Sequence, residues 1–168
     1  MLAQRARDDS DAFAELYVRY HRRVYWYLRL RTESDDDAAD LTQHVFAQAL
    51  ASIARYKAQK ATFSTWLFTI ARNAAIDHHR RGRPQVSLDS VDLLTPTSVE
   101  AGVMLRDDCE RLERLIASLP PIKRELLALH FAAGLSVTEA AHVIGKSVAA
   151  TRKQLARTLD LLEEGFHD

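Results

Sequence analysis

The chain of 168 residues sets 23 Lys and Arg against 23 Asp and Glu, with 47% hydrophobic and 27% charged residues, the balance of an ordinary soluble globular protein of one domain or two small ones. No stretch approaches the ~20 apolar residues that cross a bilayer, and the first residues have no apolar core of a signal peptide. A single cysteine, Cys109, excludes an intramolecular disulfide framework and a zinc site of several thiolates, and scarce glycine and proline disfavour a turn-rich β-sandwich. The expectation is a cytoplasmic protein built of helices.

Residues 11–31 place Phe13, Leu16, Tyr17, Tyr20, Val24, Tyr27, Leu28 and Leu30 mostly three or four apart, which predicts an amphipathic helix capped at Asp9, Ser10 or Asp11. Thr32, Glu33 and Ser34 break the pattern. A second helix is predicted from about Asp36 to Arg55, with Ala38, Leu41, Val45, Phe46, Ala49, Leu50 and Ile53 inward and a cluster of aspartates in its first turn. The stretch 55–61 reads as a basic loop. Thr62 or Ser64 then caps a third helix over 63–81, buried through Phe63, Trp66, Leu67, Ile70, Ala74 and Ile76. Gly82, Pro84 and Pro96, set among Ser, Thr and Asp, mark an extended linker whose Val91, Leu93 and Leu94 could rest on a neighbouring surface.

From Asp108 the pattern is helical again, in four short pieces. The first covers 110–118. Pro120 and Pro121 open the second, which ends at Gly134. Ser136 and Glu139 form a capping box at the start of a brief helix ending at Gly145, and Ser147 caps the last, which runs to about Glu164. Helix, glycine turn and capped second helix together are the arrangement of a helix-turn-helix. On the last helix Val148, Thr151, Leu155, Leu159 and Leu162 point inward, leaving Ala149, Ala150, Arg152, Lys153, Gln154 and Arg157 outward. Small residues let a backbone approach a duplex, Arg and Lys reach phosphates or guanine edges, and Gln can pair with adenine. The same pattern suits a wet basic face with no ligand.

Charge is segregated along the chain. Residues 35–50 hold four Asp and no Lys or Arg, whereas 51–84 hold seven basic residues against one acid. Residues 85–122 hold three basic and seven acidic residues, and 123–168 balance six against six. A neutral total therefore leaves room for nucleic-acid binding, because a basic face acts locally, within a screening length of about 8 Å. The acidic excess beside basic faces also permits self-masking.

With these blocks in view, the chain resembles the extracytoplasmic-function (ECF) sigma factors, the small two-domain sigma subunits of bacterial RNA polymerase in the sigma-70 family. The likeness is carried by AFAELYVRYHRRVY (12–25), DDAADLTQHVFAQAL (36–50), FSTWLFTIARNAAIDHHRR (63–81) and LIASLPPIKRELLALHFAAGLSVTEAAHVIGKS (115–147) with the helix that follows. The resemblance implies an all-α fold. A three-helix region 2 domain spans 1–83, a linker 84–107, and a four-helix region 4 domain with the helix-turn-helix 108–168.

It also implies roles. Asp36, Asp37 and Asp40, with Gln43 and Phe46, would dock on the basic coiled coil of the core polymerase's largest subunit. Ala39 and His44 stand where the family usually has glutamate, which implies weaker or altered docking. Tyr56, Lys57, Gln59 and Lys60, extended by Arg72, Asn73, Arg80 and Arg81, would read and open the −10 promoter element, since capturing unstacked bases needs polar edges, an aromatic or apolar wall and cations for the backbone. Phe63 and Trp66, by spacing, belong to the core. Arg152, Lys153, Gln154 and Arg157 would read the −35 element. Ala149 and Gln154 replace the family's usual glycine and arginine there, which implies a different preferred sequence. An anti-sigma protein is the expected regulatory partner.

No cofactor or metal is expected: His78 and His79 fit no ligand spacing, and Cys109 sits among Asp107, Asp108 and Glu110, which disfavour its thiolate. A stand-alone helix-turn-helix regulator would leave the N-terminal half without a purpose. A small enzyme would need a phosphate loop, a His-Glu-x-x-His pair or a nucleophile motif, and none is present in the sequence.

Overall fold

The computed structural model describes residues 2–81 and 103–167. Over these residues the protein is helical without strands: α1 (Leu2–Arg5), α2 (Ser10–Arg29), α3 (Asp35–Ser52), a 3₁₀ turn (Ile53–Arg55), α4 (Phe63–Arg81), α5 (Val103–Ser118), α6 (Pro121–Leu127) running into a π turn (Ala128–Ala132), α7 (Val137–Ile144) and α8 (Val148–His167). Most of the expected linker, including Val91, Leu93 and Leu94, lies outside the described residues. Its last positions, 103–107, are already helix.

Local chemistry sets the helix ends. Asp9 is the N-cap of α2, its carboxylate accepting from the amides of Asp11 and Ala12 at 3.0 and 3.2 Å. Ser34 caps α3, and the Thr62 hydroxyl accepts the Thr65 amide at 3.2 Å to start α4. At α7 the predicted capping box is complete, with the Glu139 amide on Ser136 Oγ and the Ser136 amide on the Glu139 carboxylate. Gly145 ends that helix at φ 71°, a left-handed backbone that side-chain-bearing residues rarely adopt, and Ser147 Oγ then accepts the Ala150 amide. Ser136→Ala leaves the Glu139 amide without its side-chain acceptor. It should cost about 0.5–2 kcal/mol, read as a fall of a few degrees in the melting temperature.

The N-terminal helices share an apolar core of Leu16, Val24, Tyr27 and Leu28 from α2, Val45, Phe46 and Ala49 from α3, and Leu67, Phe68 and Ala71 from α4. Leu126, Leu129, Leu135, Ala140 and Val143 of the C-terminal helices belong to the same continuous cluster, so the two halves are packed on each other. Periodicity misplaced two leucines. Leu50 is 54% exposed and Leu159 is 39% exposed. Thr42 and Thr158 fill inward places that periodicity did not name, and Thr151 is inward as expected; each donates its hydroxyl to the carbonyl four residues back, which satisfies the polar atom inside the core. The π turn was not foreseen either. Its wider winding, with the Ala133 amide on Ala128 O at 2.9 Å and the Leu135 amide on Leu129 O at 3.0 Å, precedes Gly134 at φ 64°.

Candidate functional site

The aspartates at the head of α3 divide into two kinds. Asp35 is ion-paired to the buried Arg29, whose Nη1 also donates to Thr32 O, so it ties the end of α2 to the start of α3. Asp37 is half-buried and accepts the Ser34 hydroxyl at 2.7 Å while its amide donates back to Ser34 at 3.0 Å. Asp36 and Asp40 are exposed. With Gln43, Ala47 and Leu50 they follow alternating steps of four and three, which on a helix is a single outward stripe. That stripe runs from acidic through polar to apolar. Leu50, expected in the core, is its apolar end. Phe46, expected on the docking face, is only 4% exposed, its ring edge-on to Tyr17 with centroids 4.7 Å apart; it holds α2 against α3 from inside.

A second group surrounds the loop before α4. Lys57, Gln59 and Lys60 are exposed, as are Asn73, Arg80 and Arg81 along α4. Tyr56 departs from expectation. It is 4% exposed, packs on Phe63 and Trp66, and donates its hydroxyl to Ala61 O at 3.0 Å, while its own carbonyl accepts Arg7. The ring therefore braces the loop from below and does not face solvent. Phe63 is buried and Trp66 half-buried, in keeping with their core assignment. Arg72 is already engaged, with Nε on Glu125 Oε1 at 2.9 Å and Nη2 on Oε2 at 3.3 Å.

The third group lies on the helix-turn-helix. Lys153, Gln154 and Arg157 of α8 line a shallow concavity of about 400 Å³ together with Ala150 and with Lys123 from the first turn of α6. Lys123 was not singled out in the sequence because it lies on α6, outside α8. Gln154 accepts the Lys146 ammonium at 3.2 Å, and Arg152 is exposed on the flank outside the concavity. Three cations around an amide suit a phosphate backbone beside a base edge.

Between the halves run polar contacts that no local pattern predicts. Glu125 is 5% exposed and is reached by Arg72, by Arg31 at 3.4 Å and, at 3.5 Å, by the hydroxyl of Tyr27. Burial pushes the Tyr27 phenol well above its usual range, keeping it a neutral donor. Glu139 accepts Thr62 Oγ1 at 2.8 Å and also Ser64 Oγ. Burial opposes its ionisation, yet the bonds from Ser64, Thr62 and Ser136 outweigh that and hold its carboxyl at about 2. Arg23 donates to Ala133 O at 2.6 Å and Gly134 O at 3.1 Å, meeting the negative end of the α6 and π-turn helix, while its guanidinium lies over Tyr20 and Phe68.

Residues 16–85 match the family model described as Sigma-70 region 2, and residues 109–162 match Sigma-70, region 4. The chain belongs to the sigma-70 family. Within it, the chain is 34% identical over 156 residues to the ECF RNA polymerase sigma factor BldN of Streptomyces coelicolor, covering 90% of this chain and 59% of BldN. It is 31% identical over 151 residues to the ECF factor SigM of Bacillus subtilis, covering 89% of this chain and 91% of SigM. In fold it is similar to CnrH, solved in complex with the cytosolic domain of CnrY, with a TM-score of 0.71 at 24% identity over 97% of this chain and 93% of that one. The sigma factor RpoE of Bartonella quintana, solved with the anti-sigma factor NepR, gives the same TM-score of 0.71 at 22% identity over 92% of this chain and 96% of that one.

The boundaries of the two matches set the groups in order. The acidic stripe of α3 and the basic loop with α4 lie in region 2, and the cation-lined concavity lies in region 4. An ECF sigma factor is a transcription initiation factor.

Proposed function

We propose that this ECF sigma factor joins core RNA polymerase through the outward stripe of α3, reads and opens the −10 element with the 57–60 loop and α4, and reads the −35 element with α8. Asp36, Asp40 and Gln43 supply the polar docking contacts and Leu50 an apolar one. Lys57, Gln59, Lys60, Arg72, Asn73, Arg80 and Arg81 serve the −10 strand, with Tyr56 as the brace beneath them. Arg152, Lys153, Gln154 and Arg157, joined by Lys123, serve the −35 duplex. The work is done by binding, in the cytoplasm, without a cofactor, and an anti-sigma protein holds the factor inactive by covering these faces.

The observation that carries this reading is the pairing of two basic surfaces, one on region 2 and one on a capped helix-turn-helix, with a separate acidic stripe that precedes both in sequence. The test is transcription from a promoter library by core polymerase with and without the protein. Initiation at defined sites only upon its addition supports the reading. Initiation that never becomes site-specific refutes it, and a dimer on palindromic operators would point to a stand-alone regulator.

Within region 4 the roles separate experimentally. Gln154→Ala should cost about 1–3 kcal/mol and relax preference at one base position. Lys123→Ala or Lys153→Ala should weaken binding to all sequences alike and lower the salt dependence by about one counterion. A Lys123 variant that changes sequence preference instead would remove it from the phosphate set.

A further inference from the structure

The closed packing of the two halves brings carboxylates of region 4 onto donors of region 2. Glu125 takes the Nε and Nη2 edge of Arg72, the side of a guanidinium that a phosphate would also take. Glu139 takes the hydroxyls of Thr62 and Ser64, immediately after the basic loop. The exposed cations Lys57 and Lys60 lie before this point in the chain and Arg80 and Arg81 beyond it, so the occupied donors interrupt the middle of the strand-binding face. On the other side of the joint, α7, the helix that in a helix-turn-helix crosses the DNA backbone, lies against α4. The basic face of α8 is turned elsewhere: Arg152, Lys153 and Arg157 remain exposed.

We propose that region 4 is an intramolecular mask of the −10-reading face, with Glu125 and Glu139 standing in for the phosphate groups of a single DNA strand. The inference rests on the assignment of the loop and α4 to the −10 strand. Glu125 and Glu139 are thereby regulatory contacts. An anionic strand and the closed form compete for Arg72, Thr62 and Ser64, so the apparent strand affinity of the free protein is its intrinsic affinity reduced by the fraction of molecules that are open. Core polymerase or a promoter engaged at α8 would favour the open form by binding only when the halves part.

The test uses the full chain. Solution scattering should give a compact radius for the wild-type protein. Glu125→Lys combined with Glu139→Lys should enlarge it with helical content by circular dichroism unchanged, and should tighten binding of a short fluorescein-labelled DNA single strand of mixed sequence by roughly tenfold or more. Should the double lysine variant lose helicity, Glu125→Gln with Glu139→Gln replaces it, since glutamine still completes the α7 cap. Glu125→Arg exchanged against both of its partners, Arg72→Glu and Arg31→Glu, should restore the compact radius that Glu125→Arg alone loses, a result that a merely disrupted core would not give. An extended wild-type radius, or variants as compact as wild type, overturns the mask. Opening without any gain in strand affinity also overturns it. If the open form binds no strand at all, the −10 assignment fails with it, whereas closure and its release would still be read from scattering alone.

Discussion

Reversing Asp36 and Asp40 together to lysine is expected to abolish assembly with core RNA polymerase while leaving the fold intact. Both carboxylates are exposed on the outer stripe of α3, and neither takes part in the contacts that tie α2 to α3, which fall to Asp35 with Arg29 and to Asp37 with Ser34. The local cost is the loss of favourable charge at the helix N-terminus at Asp36, about 0.3–1 kcal/mol, and little at Asp40, which lies beyond the first turn. Against a basic coiled coil, two attractive charges become two repulsive ones, and a loss of about 100-fold or more in affinity follows from pair energies of several kcal/mol. Titration of labelled core with wild-type and variant protein measures it directly. Asp35→Lys is the informative contrast, because it should instead lower the melting temperature by leaving Arg29, 7% exposed, without its partner. Full assembly by the Asp36/Asp40 variant would remove the stripe from the docking role.

Phe68→Ala should produce the largest loss of stability of any single change considered. The ring is fully buried, stands edge-on to Tyr27 at a centroid distance of 5.7 Å, and carries the Arg23 guanidinium at 5.8 Å on its other contact. Truncation removes its burial and leaves a cavity between α2 and α4, at a cost of about 3–5 kcal/mol. For a chain of this size each kcal/mol corresponds to about 2–4 °C. Calorimetry should therefore show a fall of more than about 6 °C. The variant also deprives Arg23 of one aromatic face, so the contact with Ala133 and Gly134 should loosen with it. A shift below about 2 °C would mean that the ring is not packed against Tyr27 in solution as it is here.

Some features were legible because they are local. The Ser136–Glu139 capping box, the glycines at the turns and the Ser147 cap involve groups within three residues of each other, and their spacing is written in the chain. The basic loop, the aspartate cluster and the outward cations of α8 were likewise visible, since nothing is needed to expose a charge. Periodicity was less exact at its edges. With Phe46, Ala49 and Ile53 inward, Leu50 falls about 100° away from Ala49 on the helix, and an apolar count alone drew it into the core. Tyr56 and Phe46 were read as contact residues because aromatic rings suit both a core and a binding face.

What the chain alone determined is the set of helices, their caps, and the separation of acidic and basic blocks, all decided by hydrogen bonds and side-chain periods over a few residues. What only the tertiary structure decided is which charges meet. Arg72 finds Glu125 at 53 positions' distance and Thr62 finds Glu139 at 77; the sequence marks Glu125 as an ordinary surface residue and Glu139 only as the local cap of α7. A charge is stable in such a place only when several donors converge on it, and that convergence depends on how the two halves close, which no short stretch of sequence encodes.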